Sequence, residues 1–217
     1  MIKQLFSRNQ AIPVISLLVA GLCVVITVIA YVQPDLYSQL AFTYPTDHPW
    51  QYVSGVFLHG AGDRSLGLTV AHLMANMLLY LPYSIIVEKA LGRKKYSVAF
   101  LISLVVSSVV FQVYAAHLMK FAGGEGQGAV GAGLSGIAFS MVAMGTYLIF
   151  KACKSNPRNA FRQPFTYLFI LGFLGQLFIL NPLIAGMGSF IIHTAGVITG
   201  IMLTIIFRAI AEKPQVL

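Results

Sequence analysis

The sequence predicts an all-α membrane protein: six transmembrane helices, both ends in the cytoplasm, and one long outer loop between the first two. Three observations carry this. Of the 217 residues 58% are apolar and 9% charged, against about 25% charged in a soluble domain. That excludes a water-soluble globule, and it excludes disorder, which needs low hydrophobicity and high charge. Apolar runs of about 20 residues recur along the chain, long enough for spanning helices, whereas barrel strands would alternate in segments of about ten. The basic residues also fall almost entirely on one side of these runs.

The spans are expected at 12–32, 66–87, 96–119, 129–150, 165–180 and 187–210. The fifth is short, about 24 Å at 1.5 Å per residue, and would leave the bilayer locally thin. The first is too long for the apolar core of a cleaved signal, and Val32-Gln33-Pro34 is no small-residue cleavage site. Lys3 and Arg8 precede span one. Lys89, Arg93, Lys94 and Lys95 join spans two and three; Lys151, Lys154, Arg158 and Arg162 join four and five; Arg208 and Lys213 follow six. That is 12 of the 14 basic residues, leaving Arg64 and Lys120 opposite. The positive-inside rule then places both termini in the cytoplasm. The net charge of +8 is thereby a topology signal, and a nucleic-acid partner is not expected. Cys23 and Cys153 offer neither a disulfide framework nor a zinc site.

The outer segment 33–65 contains Trp50, several aromatics, Pro34, Pro45, Pro49 and three aspartates. A loop of about 30 residues is uncommon unless it has work to do. Its amphipathic stretch 50–58 fits a segment lying in the membrane interface, with Trp50 and Tyr52 at headgroup level. With no repeat and no low-complexity tract, residues 1–217 read as one domain.

Polar side chains at membrane depth are costly and usually face the bundle interior. His72 and Asn76 stand out in span two, Ser135 in span four, Gln176 in span five and His193 in span six. His72 and Asn76 are four apart and share a helix face. Spans two, four and six all start outside, and His72, Ser135 and His193 are each expected about six residues in, roughly 9 Å deep. Ser135 lies in Gly133-Leu134-Ser135-Gly136, in the first turns of a helix whose unpaired N–H groups could stabilise an oxyanion. His193 precedes Gly196 and Gly200, a G-x-x-x-G pair that lets another helix come close enough for Ser135 to reach the imidazole.

The six acids fall outside the spans: Asp35, Asp47, Asp63 and Glu125 on the outer side, Glu88 and Glu212 on the inner. A buried Asp completing a triad is therefore not expected, and a Ser135–His193 dyad is. H-E-x-x-H and paired intramembrane carboxylates are absent. The five histidines leave a metal site conceivable, but the dyad needs neither metal nor cofactor.

These residues resemble the rhomboid family of intramembrane serine proteases. The motifs are His72-Leu73-Met74-Ala75-Asn76, Gly133-Leu134-Ser135-Gly136 and His193-x-x-Gly196-x-x-x-Gly200, with Val87-Glu88-Lys89-x-Leu91-Gly92 after span two. The likeness covers about residues 45–205. It implies a rhomboid-like bundle opening outward, with Ser135 as nucleophile and His193 as base. It implies that His72, Asn76 and the Ser135 backbone N–H bind the oxyanion, and that span five with the loop 181–186 admits a substrate helix from the lipid. Three departures stand out. Trp50-Gln51 replaces the family's Trp-Arg pair; His59 lies 13 residues before His72, as if about eight residues were inserted around 60–69; and Phe139 replaces a frequent Tyr, though its ring could still stack on His193.

The expected function is an intramembrane serine endopeptidase acting on membrane-anchored substrates, in an inner membrane with its site facing outward. Its partners would be transmembrane proteins and lipid. The alternatives are a non-catalytic rhomboid-like binder of membrane segments and a small transporter or channel. The last is disfavoured because the inner halves of the spans offer few polar groups.

Overall fold

The computed structural model describes residues 12–60, 65–121, 129–153 and 186–211, with single positions at 158, 166, 167, 172 and 175. Apart from those positions, the expected fifth span with Gln176 and the loop at 181–185 lie outside the described residues. So do Lys3, Arg8, Asp63, Arg64, Glu125, Lys154, Arg162, Glu212 and Lys213.

In chain order the elements are α1 (Val14–Val32), α2 (Pro34–Leu40), β1 (Phe42–Tyr44), α3 (Gln51–Ser54), α4 (Leu66–Leu91), α5 (Arg93–Phe121), β2 (Ala129–Gly131), α6 (Ser135–Ala152) and α7 (Gly186–Ala211). Among the described residues, five of these seven helices, α1 and α4 to α7, are long and apolar enough to cross a membrane. Their outward faces fit that setting, since Leu18, Val25, Leu101, Val105, Val113, Ile201 and Ile205 are all exposed. Such a surface suits lipid and not water. The core is aromatic and aliphatic, with Tyr80, Tyr83, Tyr96, Phe139, Leu134, Ile137 and Met141 fully buried. Helix α6 sits at its centre, packed against α7 and α4.

The fourth expected span begins too early. Residues 129–131 form β2, antiparallel to β1 with Phe42 opposite Gly131, Thr43 opposite Val130 and Tyr44 opposite Ala129. The helix starts only at Ser135. The apolar run 129–134 contains Gly131 and Gly133, and Gly133 has φ +130°, a conformation L side chains rarely adopt. Ser135 is thus the first helical residue of α6. His72 and His193, by contrast, lie two turns into α4 and α7.

At the end of the bundle away from this small sheet, Glu88, expected just beyond the end of span two, lies within the helix. It belongs to α4, is 3% exposed, and accepts from Ile15 N at 3.1 Å, Ser16 N at 2.8 Å and Ser16 Oγ at 2.6 Å. A carboxylate on two of the first N–H groups of α1 satisfies donors that no helix can pair internally, with the favourable sense of the helix dipole. Ser84 Oγ donates to Ser16 Oγ at 2.8 Å and also bonds Tyr96 Oη, which lies 2.7 Å from Tyr80 Oη. This end of the bundle, expected to be the inner one, is therefore richer in polar groups than expected, and these groups hydrogen-bond one another.

Two glycines set the α6–α7 approach. A Cβ on Gly196 would collide with the carbonyl oxygen of Gly136, and one on Gly200 with that of Ser140. This is the close backbone contact that a small-residue pair permits.

Glu88→Leu leaves the Ile15 and Ser16 donors unpaired and should lower stability by about 1–3 kcal/mol, with Glu88→Gln in between. Unfolding in detergent would measure this, and an unchanged midpoint in Glu88→Leu would refute the capping role. Gly196→Ala should lose about 1–3 kcal/mol through overpacking. Gly21→Ala in α1, where a Cβ meets nothing within 4 Å, should lose nothing. Equal midpoints for the two variants would show that α6 and α7 are not held at backbone contact.

Candidate active site

The sheet end of the bundle gathers the polar residues singled out from sequence. Ser135 opens α6. The first intrahelical bond runs from Ala138 N to Leu134 O at 2.9 Å, so the N–H groups of Ser135, Gly136 and Ile137 lie ahead of the helical ladder. They are the donors that a helix N-terminus leaves unpaired within the helix, at its positive end. Two backbone anchors hold this turn. The β1–β2 pairing fixes 129–131, and Gly133 N donates to Gly55 O at 2.9 Å.

His193 is 7% exposed. Its ring stacks on Phe139, with centroids 4.5 Å apart and planes at 29°. Phe139 is one turn from Ser135 on the same face of α6, and Gly196, one turn beyond His193, meets the backbone of Gly136. The face of α6 that bears Ser135 is thus the face that α7 presents His193 to. The stack needs only an aromatic face, which Phe139 supplies.

His72 approaches the same turn from α4. A Cβ built on Gly133 would lie 3.0 Å from His72 Nε2, a tight contact that adds to the strain of its positive φ. His72 Nδ1 accepts from Gly60 N at 3.4 Å. The neutral tautomer compatible with that bond carries its proton on Nε2, the nitrogen facing Gly133. Asn76 is 2% exposed, and its Nδ2 donates to His72 O at 3.0 Å, which fixes the amide one turn below the imidazole.

His59, which 13 residues of separation left only weakly connected to the site, is brought back beside His72. The two rings meet edge to face with centroids 5.2 Å apart. His59 is 1% exposed, its backbone N donates to Thr27 Oγ1 at 3.1 Å, and its Nδ1 lies 3.4 Å from the same oxygen. Burial, with His72 alongside, pushes its imidazole down to about 3, so the ring is neutral at any physiological pH.

Gln51 ties the 43–48 loop to α2. It is 1% exposed. Its Oε1 accepts from Thr43 Oγ1 at 2.7 Å and from the N–H groups of Asp47 and His48 at 3.1 Å each, while Nε2 donates to Ser38 O at 3.1 Å. A neutral amide both accepts and donates, so it pins the loop on two sides without burying a charge. The α3 segment is amphipathic as its pattern suggests, with Trp50, Tyr52 and Val53 exposed and Gln51, Val56 and Leu58 buried. Trp50 Nε1 donates to Gln39 O, and its ring stacks on His48 at 4.2 Å.

Two α5 residues complete the cradle. Ser108 Oγ donates to Tyr52 O at 2.6 Å and Gln112 Nε2 to Thr43 O at 2.9 Å. Gln112 carries the same sequence signal as Asn76, a strongly polar group on an apolar helix. Ser107 packs against Gly136. Cys23 and Cys153 are free and buried. Among the described residues, no three His, Cys, Asp or Glu side chains gather as a metal site.

Comparison with curated proteins returns no match. A family model described as the Rhomboid domain matches residues 46–210, about three quarters of the chain. That stretch takes in Gln51, His59, His72, Asn76, Ser135 and His193, together with the helices that carry the last four. An integral membrane protein with five apolar helices and this match belongs to the rhomboid family.

Proposed function

We propose that the protein is an intramembrane serine endopeptidase that hydrolyses peptide bonds of membrane-anchored proteins in or near their transmembrane segments. Rhomboid proteins are typically intramembrane serine proteases. The observation that most supports this reading is the His193–Phe139 stack one turn from Ser135, with His72 Nε2 at the adjoining Gly133 turn.

In this reading neutral His193 takes the Ser135 hydroxyl proton as Oγ attacks the scissile carbonyl carbon. The developing oxyanion is met by the Ser135 backbone N–H, the His72 Nε2–H and the second N–H of the Asn76 amide. Donors held by the protein before reaction need no reorganisation when charge develops. His193 then passes its proton to the departing amine. Water repeats the cycle on the acyl-enzyme and releases the new carboxylate. The described acids near this end, Asp35 and Asp47, lie on α2 and in the loop, and Asp47 N is tied to Gln51. A dyad suffices without them. Gly133, Gly136, Gly196 and Gly200 serve by letting backbones and rings come close.

The orientation proposed is the one the basic residues favour, both termini cytoplasmic and the sheet end outward. A substrate helix would enter from the lipid beside the 165–180 segment.

Ser135→Ala and His193→Ala should each abolish cleavage of a transmembrane substrate and fluorophosphonate labelling while leaving the protein folded. The double variant should be hardly worse, because groups acting as a unit are non-additive. Asn76→Ala should lower turnover by on the order of 10²–10³ with little change in KM. An Asp35→Asn or Asp47→Asn variant as dead as His193→Ala, yet folded, would refute the dyad. For orientation, cysteines placed at Gly62 and Asn156, with Cys23 and Cys153 replaced, should be labelled from outside intact cells at 62 only. Free external labelling at 156 would reverse the assignment.

A further inference from the structure

A neutral imidazole exists as two tautomers. For His72 only the one protonated on Nε2 offers a donor at the Gly133 turn. The Gly60 N–H bears on that choice, because it donates to His72 Nδ1 at 3.4 Å and leaves the proton to the other nitrogen. At that length a small drift of the donor would break the bond, so the Gly60 peptide has to be held in place.

Two hydroxyls from outside the dyad helices hold it. Thr27 Oγ1, on α1, accepts from His59 N at 3.1 Å and lies 3.4 Å from His59 Nδ1. Tyr37 Oη, on α2, donates to Gly60 O at 3.2 Å. Thr27 thus fixes the amide just before, Tyr37 fixes the carbonyl just after, and the N–H between them bonds His72. The peptide is also pressed between α2 and α4. Gly60 has φ +136°, and a Cβ there would lie 3.1 Å from Thr69 Oγ1 and 3.4 Å from Tyr37 Cε2.

Packing alone does not account for the Thr27 hydroxyl. Helix α1 packs chiefly against α4 and α2, through a buried stripe of Ser16, Val19, Ala20, Cys23, Thr27 and Ala30. A valine at 27 would fill the same space. The stripe has two hydroxyls: Ser16 serves Glu88 at one end, and Thr27 serves His59 at the other. Thr27 and Tyr37 also precede the stretch 46–210 that the Rhomboid family model matches.

We propose that Thr27 and Tyr37 are positioning residues: they hold the 59–60 backbone so that the Gly60 N–H keeps His72 in the orientation and tautomer that donate from Nε2. Neither touches substrate, and both act through His72. The effect on turnover rests on the protease reading above; the state of the His72 ring does not.

The test uses full-length protein in detergent micelles with ¹⁵N-labelled histidine, the His72 signals being those lost in His72→Gln. In the wild-type protein Nδ1 should resonate as an unprotonated, hydrogen-bonded nitrogen and Nε2 as a protonated one. A proton on Nδ1 overturns the proposal at once. Thr27→Val and Tyr37→Phe should each move the Nδ1 signal, whereas Thr27→Ser, which keeps the hydroxyl, should not. Ser16→Ala loosens the far end of the same stripe and should leave the signal in place. A shift there as large as in Thr27→Val would reduce the effect to general loosening of α1 and overturn the proposal. Tyr37 is only half-buried, so Tyr37→Phe keeps the test open if Thr27→Val does not fold. An Nδ1 signal that either folded variant leaves unmoved overturns the role of that residue. In turnover, Thr27→Val and Tyr37→Phe should each lower kcat on the order of tenfold at unchanged KM, as small misplacements of catalytic groups do. Added to His72→Ala, neither should cost more, because residues acting through one group are not additive; a further loss would overturn the route through His72. A wild-type protein with the expected ring signals, shifted in both variants, but no proteolysis would refute the protease reading and leave the positioning of His72 standing.

Discussion

Helix α7 crosses α6 so closely at Gly196 and Gly200 that any side chain larger than hydrogen would meet an α6 carbonyl oxygen. In lipid no hydrophobic force drives helices together, so contact of this kind, backbone on backbone over several residues, supplies the association. It also fixes the angular position of α7, and with it His193. A bulkier pair would hold the helices farther apart, and the imidazole would no longer rest on Phe139 one turn from Ser135. The site depends on two missing side chains before it depends on any chemical group.

The N-terminus of α6 is held by parts far apart in sequence. Strand β1, the Gly55 carbonyl and the α4 imidazole converge on residues 129–135, and Gln51, Ser108 and Gln112 hold the loop that supplies the first two. Each is a hydrogen bond made where water is scarce, and leaving one unmade would cost its full desolvation penalty. The segment 42–60 is thereby fastened from both sides. Its exposed Trp50 and Tyr52 lie on the outer surface of an otherwise tied structure.

Much of this was legible in the sequence, and the rest was hidden for identifiable reasons. The spans at 66–87, 96–119 and 187–210 fall within the observed helices, because an apolar run of spanning length has few other solutions in a membrane. The start of α6 was hidden, since 129–134 is apolar enough to pass for helix and only pairing with Phe42–Tyr44, about 87 residues earlier, reveals a strand. His59 was obscured by counting along the chain, where it is 13 residues from His72, although in space their rings touch. Gln51 read as a loss relative to an arginine because the number of partners an amide can find is a tertiary property. Glu88 read only as an acid beyond the end of span two, because the first turn of α1 that it bonds lies 72 residues away in sequence.

That last pairing has a consequence for biogenesis. Helix α1 is synthesised first, yet the carboxylate that satisfies its opening turn comes about 72 residues later, at the far end of α4. Until α4 is complete those two amides would have to find other partners, although α1 already meets earlier residues through Thr27 and His59. A chain interrupted before residue 88 would keep that contact and lack the one that caps its first helix.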